Sequence, residues 1–270
     1  MNKFLKLKYF VLLLFIVFNT AYAQVSALKK DFNQEDKKAN WKLKFSDKGK
    51  KNWQNNWFLD GLKAKITNSN KGLLFSGGQV EGNDADHAVL WTKQSFAGDI
   101  KITYEFTKMD HNQDGVNIIY IHATGIGVKP YDQDISKWNN LRTIPAMSTY
   151  FKNMNALHVS YTAFDKELPK GQDYIRVRKY PIAKGANFNQ TTEIPPAFFD
   201  TQLFKTGIKY QLTLIKKGNQ FYFQVKRDNE DKVYNWDISS AANIIEGRVG
   251  LRHMYTRSSL YKNFKIYTIN

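Results

Sequence analysis

Two short stretches of this chain carry most of the side chains that could do chemistry, and each alternates like a β-strand. They are Leu157–Phe164 and Tyr174–Tyr180. Side chains alternate between the faces of a strand, so a hairpin with aligned apolar faces predicts one open polar surface. This surface would carry His158, Ser160, Thr162, Tyr174, Arg176, Arg178 and Tyr180. These groups suit an anionic ligand rich in hydroxyls, and an ordinary solvated sheet face is the alternative.

β-Elimination from a uronic acid is a reaction that these residue types could catalyse. A cation neutralises the carboxylate, a base takes the proton from the adjacent carbon, and an acid protonates the leaving oxygen. Arg176 and Arg178 are candidates for binding the carboxylate. The candidates for proton transfer are His158, His122 and Tyr150. The candidates for substrate binding are Tyr174, Ser160, Arg252 and Trp138, the last because its long polar loop could expose it to a sugar ring.

Hydrolysis by a retaining glycosidase would instead need two carboxylates close together. The chain has no E-x-D-x-x-E run, and its nearest acidic run, Glu81–Asp86, has a different spacing and lies in a predicted loop. Hydrolysis is therefore disfavoured, although acids from distant strands could still meet. A non-catalytic carbohydrate-binding module is a further hypothesis. Convergent His, Tyr and Arg side chains in a groove would favour a lyase, and a flat aromatic platform would favour the module.

One turn begins like a calcium-binding loop. Asp110, Asn112 and Asp114 have the D-x-N-x-D-G spacing, but the twelfth position is Ile121 and not glutamate. A tight turn is the favoured interpretation, with calcium at these three residues as the alternative. The sequence has no cysteine and no zinc-site spacing, so no other cofactor is predicted.

Residues 1–23 are predicted to be a secretory signal peptide, cleaved before Gln24. The segment combines a basic start, a short apolar core and an A-x-A site, contributed by Lys3, Lys6 and Lys8, by Val11–Phe18 and by Ala21–Ala23. No later stretch is long and apolar enough to span a bilayer. We therefore expect a periplasmic or secreted protein with no membrane insertion after cleavage.

The charge of the chain indicates the class of partner. Loss of three signal-peptide lysines lowers the formal net charge from +16 to +13. A basic surface attracts polyanions, and export disfavours nucleic acid. An acidic polysaccharide or oligosaccharide is the expected partner.

Short alternating strands dominate the remaining chain. The clearest are Ile100–Phe106 and Val116–His122, a hairpin of Tyr210–Ile215 with Gln220–Val225, and the closing strands Arg248–Met254 and Tyr261–Ile269. Short helical segments are expected at Asp134–Trp138 and Pro145–Asn155. Turns recur at the spacing of a sandwich. The pattern predicts one all-β domain over residues 24–270, a two-sheet antiparallel jelly-roll sandwich.

Several segments resemble a known family. Gly247–Tyr267 is similar to the closing strands of concanavalin A-like lectin/glucanase domains. More specifically, the chain resembles the YesU-like domain of unknown function, through Phe96–Phe106, Asp114–His122, Tyr150–Phe164 and Tyr174–Pro181. The resemblance implies the sandwich fold and a role with carbohydrate, but no particular reaction. Tyr120–His122 and Tyr150–Lys152 also distantly resemble two motifs of jelly-roll alginate lyases, in which Gln would replace Tyr120 and a second Tyr would replace Ala156.

Overall fold

The computed structural model describes residues 23–38, 40–164, 169 and 172–269. The predicted signal peptide, up to residue 22, lies outside the described residues. The chain divides into two compact units, Met1–Ala39 and Asn40–Asn270. In the first unit, residues 23–36 form helix α1. No helix in the described ranges is long and apolar enough to cross a membrane.

The second unit is built from antiparallel strands. In chain order they are β1 (Lys42–Asp47), β2 (Trp57–Asp60), β3 (Lys65–Ser69), β4 (Gly72–Ser76), β5 (Ala88–Ala97), β6 (Ile100–Lys108), β7 (Gly115–Gly125), β8 (Met154–Phe164), β9 (Asp173–Tyr180), β10 (Glu193–Phe199), β11 (Lys209–Lys217), β12 (Gln220–Arg227), β13 (Glu230–Asp237), β14 (Glu246–His253) and β15 (Ser258–Thr268).

These strands form two sheets. The first has the order β13-β12-β11-β6-β15-β4-β3, with β1 also paired to β15. The second has the order β10-β9-β8-β7-β14-β5-β2. Strands far apart in sequence lie side by side, as β14 does between β7 and β5. The predicted all-β, two-sheet antiparallel sandwich is confirmed.

The main hydrophobic core lies between the sheets and follows the strand alternation. In β6, Ile100, Ile102, Tyr104 and Phe106 are buried, while the side chains between them are partly exposed. This period of two places one face of the strand on the opposite sheet.

A second apolar cluster covers the other face of the second sheet. It joins strand residues such as Trp91 and Tyr120 to residues of the segments that follow β7 and β9. Those segments contain a 3-10 helix (Ile135–Arg142), helix α2 (Met147–Asn153) and helix α3 (Phe188–Thr192). The second sheet is therefore buried on both faces, and the predicted open polar surface is wrong in that respect.

Two edge strands have sequences that do not predict strands. β10 contains Pro195 and Pro196, and β13 is rich in charged and polar residues. Both strands lie at sheet edges, where a missing N–H donor and exposed charges are tolerated. The two short helical segments expected after β7 are confirmed as the 3-10 helix and α2.

Candidate functional site

A row of side chains crosses the second sheet on its covered face. Arg178 of β9 pairs with His158 of β8, which pairs with Tyr120 of β7. Tyr120 pairs in turn with Gly250 of β14, and Gly250 pairs with Trp91 of β5. A methyl group at Gly250 would overlap the Trp91 ring, so this glycine lets the indole lie across the sheet. The predicted hairpin of β8 and β9 is thereby confirmed, with His158 and Arg178 on one face.

Four polar side chains converge at the middle of this row. We call Tyr120, His158, Tyr180 and Arg252 the polar cluster. The His158 ring lies 4.8 Å from the Tyr180 ring and 5.4 Å from the Tyr120 ring, between centroids. The Arg252 guanidinium lies 4.5 Å from the centroid of the Tyr150 ring. None of the four residues is more than 2% exposed.

The polar cluster has more hydrogen-bonding atoms than partners. Both ring nitrogens of His158, the hydroxyls of Tyr120 and Tyr180, and Nε and NH1 of Arg252 make no hydrogen bond of normal geometry with any described residue. The Tyr120 hydroxyl is close enough to Arg252 and Tyr180 for both to affect its pKa. Buried polar groups in proteins are nearly always paired. Unpaired atoms concentrated here indicate a place for water or for a polar ligand.

Burial sets the protonation of these groups. It lowers the pKa of His158 well below its ordinary value, and the nearby charges of Arg178 and Arg252 lower it further. Burial also raises the pKa of the Tyr120 phenol, against the effect of Arg252, and raises that of Tyr180 well above its ordinary range. At neutral pH the site holds a neutral imidazole that can accept a proton and two phenols that can donate one.

Arg252 is a buried cation without a carboxylate partner among the described residues. Its NH2 donates to the backbone oxygen of Pro145 at 2.6 Å and contacts Nδ1 of His87 at 2.8 Å. Arg142, equally buried, instead forms a 2.6 Å salt bridge with Asp60. Burying an unpaired charge is costly, so the environment of Arg252 favours an anion that the chain itself does not supply.

The two arginines predicted to bind a substrate carboxylate already have partners in the chain. Arg176 and Arg178 share Glu193, at 3.1 Å and 3.7 Å. Arg178 also donates to the hydroxyl of Thr192 and to the side-chain oxygen of Asn189, both at 2.8 Å. Their charge is therefore largely balanced, unlike that of Arg252.

The predicted substrate-binding residues have different surroundings. Trp138 is only 2% exposed and donates to the backbone oxygen of Asp132, so the expectation of an exposed tryptophan is wrong because the loop packs around it. Ser160 pairs with Arg176 across the strands and is buried. The Tyr174 ring lies 4.6 Å below the Arg176 guanidinium.

Asp60 binds the covering segment to the sheet, a role that the sequence did not reveal. Its carboxylate accepts hydrogen bonds from Trp91 Nε1, Arg142 Nε, Tyr150 OH and Asn139 Nδ2, at 2.6–2.9 Å. The Tyr150 hydroxyl, predicted to transfer protons, is therefore engaged with Asp60 at the border of the polar cluster. An Asp-Gly pair signals a turn in sequence, and no local pattern marks it as an acceptor for four donors.

His122 is separated from the polar cluster. The pairing of β7 with β8 shifts register between Ile121 and Thr124, and His122 has a φ of +54°. Its ring lies near Lys216 and the Ile244 backbone, and burial, with Lys216, lowers its pKa to about 3. The bulge breaks the alternation that predicted a shared face with Tyr120, so that placement is wrong.

The predicted calcium turn is held by its own hydrogen bonds. Asp110 accepts from the backbone N–H of Asn112, and Asn112 accepts from that of Asp114, both at 3.0 Å. The Asp110 carboxylate also lies 2.8 Å from Lys108 Nζ and 3.6 Å from Arg257 NH1. Among the described residues, no three His, Cys, Asp or Glu side chains group as metal ligands. Two cations thus occupy the carboxylate that calcium would need, and calcium binding stays a prediction.

Solved structures with the same fold have low sequence identity to this chain. A Bacillus subtilis protein of unknown function with a galectin-like fold is 17% identical, with a TM-score of 0.62 over 85% of this chain and 100% of that chain. Lectin II from Ulex europaeus is 9% identical, with a TM-score of 0.53 over 83% and 97%. The exoplasmic/lumenal domain of VIP36, in its Ca²⁺/Man3GlcNAc-bound form, is 11% identical, with a TM-score of 0.53 over 84% and 90%. These similarities confirm the lectin-like sandwich.

Sequence comparison assigns the family. No curated protein matches the chain. Residues 45–266 match DUF1961, a domain of unknown function. The match extends from β1 to β15 and contains the whole polar cluster, in agreement with the resemblance drawn from the sequence. The chain therefore belongs to the DUF1961 family.

Proposed function

We propose that this protein is exported and cleaves an acidic polysaccharide or oligosaccharide by β-elimination, with the polar cluster as its reaction centre. The observation that carries the proposal is the fully buried Arg252, which has no carboxylate partner among the described residues and lies beside an unpaired His158. A sugar carboxylate would supply the missing negative charge. VIP36, which shares the fold, is known in a form bound to Man3GlcNAc, and this supports a carbohydrate as the ligand.

The roles follow from charge and protonation. Arg252 holds the carboxylate and stabilises the negative charge that develops on it. Neutral His158 takes the proton from the carbon next to the carboxylate. The bond from the neighbouring carbon to the glycosidic oxygen breaks, a carbon–carbon double bond forms, and the phenol of Tyr120 or Tyr180 gives its proton to the leaving oxygen. No acidic side chain takes part.

The bound carboxylate also adjusts the base. Burial and two arginines lower the pKa of His158, which makes it a weak proton acceptor in the free protein. A negative charge on Arg252 offsets part of that effect, since an opposite charge nearby favours the imidazolium. The base therefore becomes stronger when an acidic substrate is in place.

A saccharide must pass beneath the covering segments to reach the polar cluster. Helix α3 is the shorter cover, and it is held by Arg178 through Asn189 and Thr192. Phe188 of α3 lies 4.6 Å from the Arg178 guanidinium and 6.3 Å from the Tyr180 ring. An incoming carboxylate competes for Arg178, so the proposal places the access route under α3.

The test is the ultraviolet absorbance of an unsaturated uronic product. The mature protein is incubated with alginate, polygalacturonate or hyaluronan, as wild type and as the variants His158→Gln and Arg252→Met. We expect one polysaccharide to give a rise, and both variants to lower its rate by about 100-fold or more, as loss of a general base does. His111→Gln, at an exposed histidine, is the matched control and keeps the full rate.

Each result leads to a different conclusion. A rise that survives both variants would place the reaction elsewhere in the chain. No rise, together with slowed migration in gels containing the same polysaccharides, would overturn elimination and leave a carbohydrate-binding module. No rise and no slowed migration would leave hydrolysis of another sugar as the next reaction to test.

A further inference from the structure

An aromatic and cationic stack lies on β9 and β10, beyond the polar cluster. The Arg176 guanidinium lies 4.6 Å from the Tyr174 ring and 5.7 Å from the Phe199 ring. Tyr174 and Phe199 are paired across the two strands, and their ring centroids are 6.4 Å apart. Register therefore places all three side chains on the face that carries the polar cluster.

Phe199 is unusual in its exposure. It is 47% exposed, and no other aromatic residue in the described parts of the chain reaches the exposed class. Its neighbour along the strand, Phe198, packs instead against Tyr234 and Trp236. A single exposed aliphatic side chain would need no explanation. A lone exposed phenylalanine beside a stacked arginine has the composition of a sugar contact, with an apolar face and a hydrogen-bond donor.

We infer that Phe199, Arg176 and Tyr174 form a second sugar subsite, which binds a unit of the same saccharide chain further along from the cleaved bond. The inference rests on the proposed function. Phe199 would stack on the C–H face of the sugar, and Arg176 would donate to its hydroxyl or carboxylate oxygens.

The separation of the two sites specifies the length of the ligand. Tyr174 and Arg178 are four residues apart on β9, or about 13 Å at the rise of a β-strand. A monosaccharide at His158 cannot span that distance, whereas an extended chain along β9 can. The structure therefore assigns a polymeric ligand to the protein, and affinity rises with chain length until the second subsite is filled.

The experiment measures affinity against chain length. Oligosaccharides of increasing length are prepared from whichever of alginate, polygalacturonate and hyaluronan the wild type binds. Calorimetry then compares His158→Gln, which prevents turnover, with His158→Gln carrying Phe199→Ala. We expect Phe199→Ala to weaken binding of the long oligosaccharides by about 2- to 10-fold, the range of a stacking contact, and to leave the shortest ones unchanged. Phe199→Trp should restore the length dependence.

A matched control removes another exposed hydrophobic side chain. Ile245 is 55% exposed, and Ile245→Ala should leave every affinity unchanged. If the wild type binds and cleaves a polysaccharide but Phe199→Ala matches it at every length, the second subsite is overturned and the reaction centre stands. If the wild type neither binds nor cleaves any of the three polysaccharides, the proposed function and the subsite both fail.

Discussion

Asp60 and Arg142 form a salt bridge of 2.6 Å in which neither side chain has any exposed surface. Asp60 ends β2, whereas Arg142 ends the 3-10 helix of the covering segment. The bond therefore fixes that segment on the second sheet and, through Tyr150, borders the polar cluster. Stability and the proposed site depend on the same carboxylate.

Asp60→Ala should be strongly destabilising. It removes the acceptor of four donors and leaves Arg142 buried without a counter-charge. Breaking a buried pair from one side costs about 3–5 kcal/mol in the free energy of unfolding. Urea unfolding measures this, and Asp228→Asn is the control because Asp228 is exposed and its φ of +41° suits asparagine. A cost for Asp60→Ala below about 1 kcal/mol would contradict the assigned role.

The two fully buried arginines of this face offer a paired test. Arg142→Met leaves Asp60 without its cation and should cost about 3 kcal/mol or more. Arg252→Met removes a cation that has no carboxylate partner among the described residues, so only the hydrogen bonds to Pro145 and His87 are lost, at about 1–2 kcal/mol. Equal losses of unfolding free energy in the two variants would show that Arg252 is a structural residue, and would remove the basis for an anionic ligand.

Much of the fold was predictable because strand alternation is local. The β8–β9 hairpin and the pairing of β11 with β12 follow from side-chain period and turn residues. The edge strands β10 and β13 were missed because their positions tolerate proline and charge, which weaken the pattern. A local pattern also does not tell which face of a sheet will be covered, and the second sheet is covered by distant segments.

The site was predictable only in part. His158 and Arg252 were identified from residue type, and Tyr180 shares the predicted face of β9. Tyr120 was read as a neighbour of His122, and the bulge after Ile121 separated the two. The balance of charge could not be read at all, because the pairing of Arg178 with Glu193 and the lack of an acid beside Arg252 arise from tertiary contacts.

Calcium at the Asp110 turn can be tested by thermal unfolding. An ion that binds only the folded state raises Tm with concentration. Lys108 and Arg257 already contact Asp110, so we expect millimolar calcium to leave Tm unchanged relative to magnesium. A calcium-specific rise that Asp114→Asn abolishes would instead establish the ion at this turn and require Lys108 to move away.

Buried histidines predict loss of stability in mild acid. Burial lowers the pKa values of His87, His122 and His253 to about 3 from an ordinary value of 6.5. Between these values the unfolded chain takes up protons that the folded chain does not. Their stabilisation is complete above pH 6.5 and falls by about 1.4 kcal/mol per pH unit for each histidine as the pH drops toward 3. Urea unfolding from about pH 7.5 to about pH 5 measures the slope.

One substitution isolates a single histidine from that slope. His122→Asn removes the titrating ring and keeps a residue that tolerates the φ of +54° at this bulge. The dependence of unfolding free energy on pH should become shallower by about 1.4 kcal/mol per pH unit, whereas His111→Asn, at an exposed position, should leave it unchanged. A slope unaffected by His122→Asn would mean that His122 is protonated in the folded protein, and that burial beside Lys216 does not keep its ring neutral.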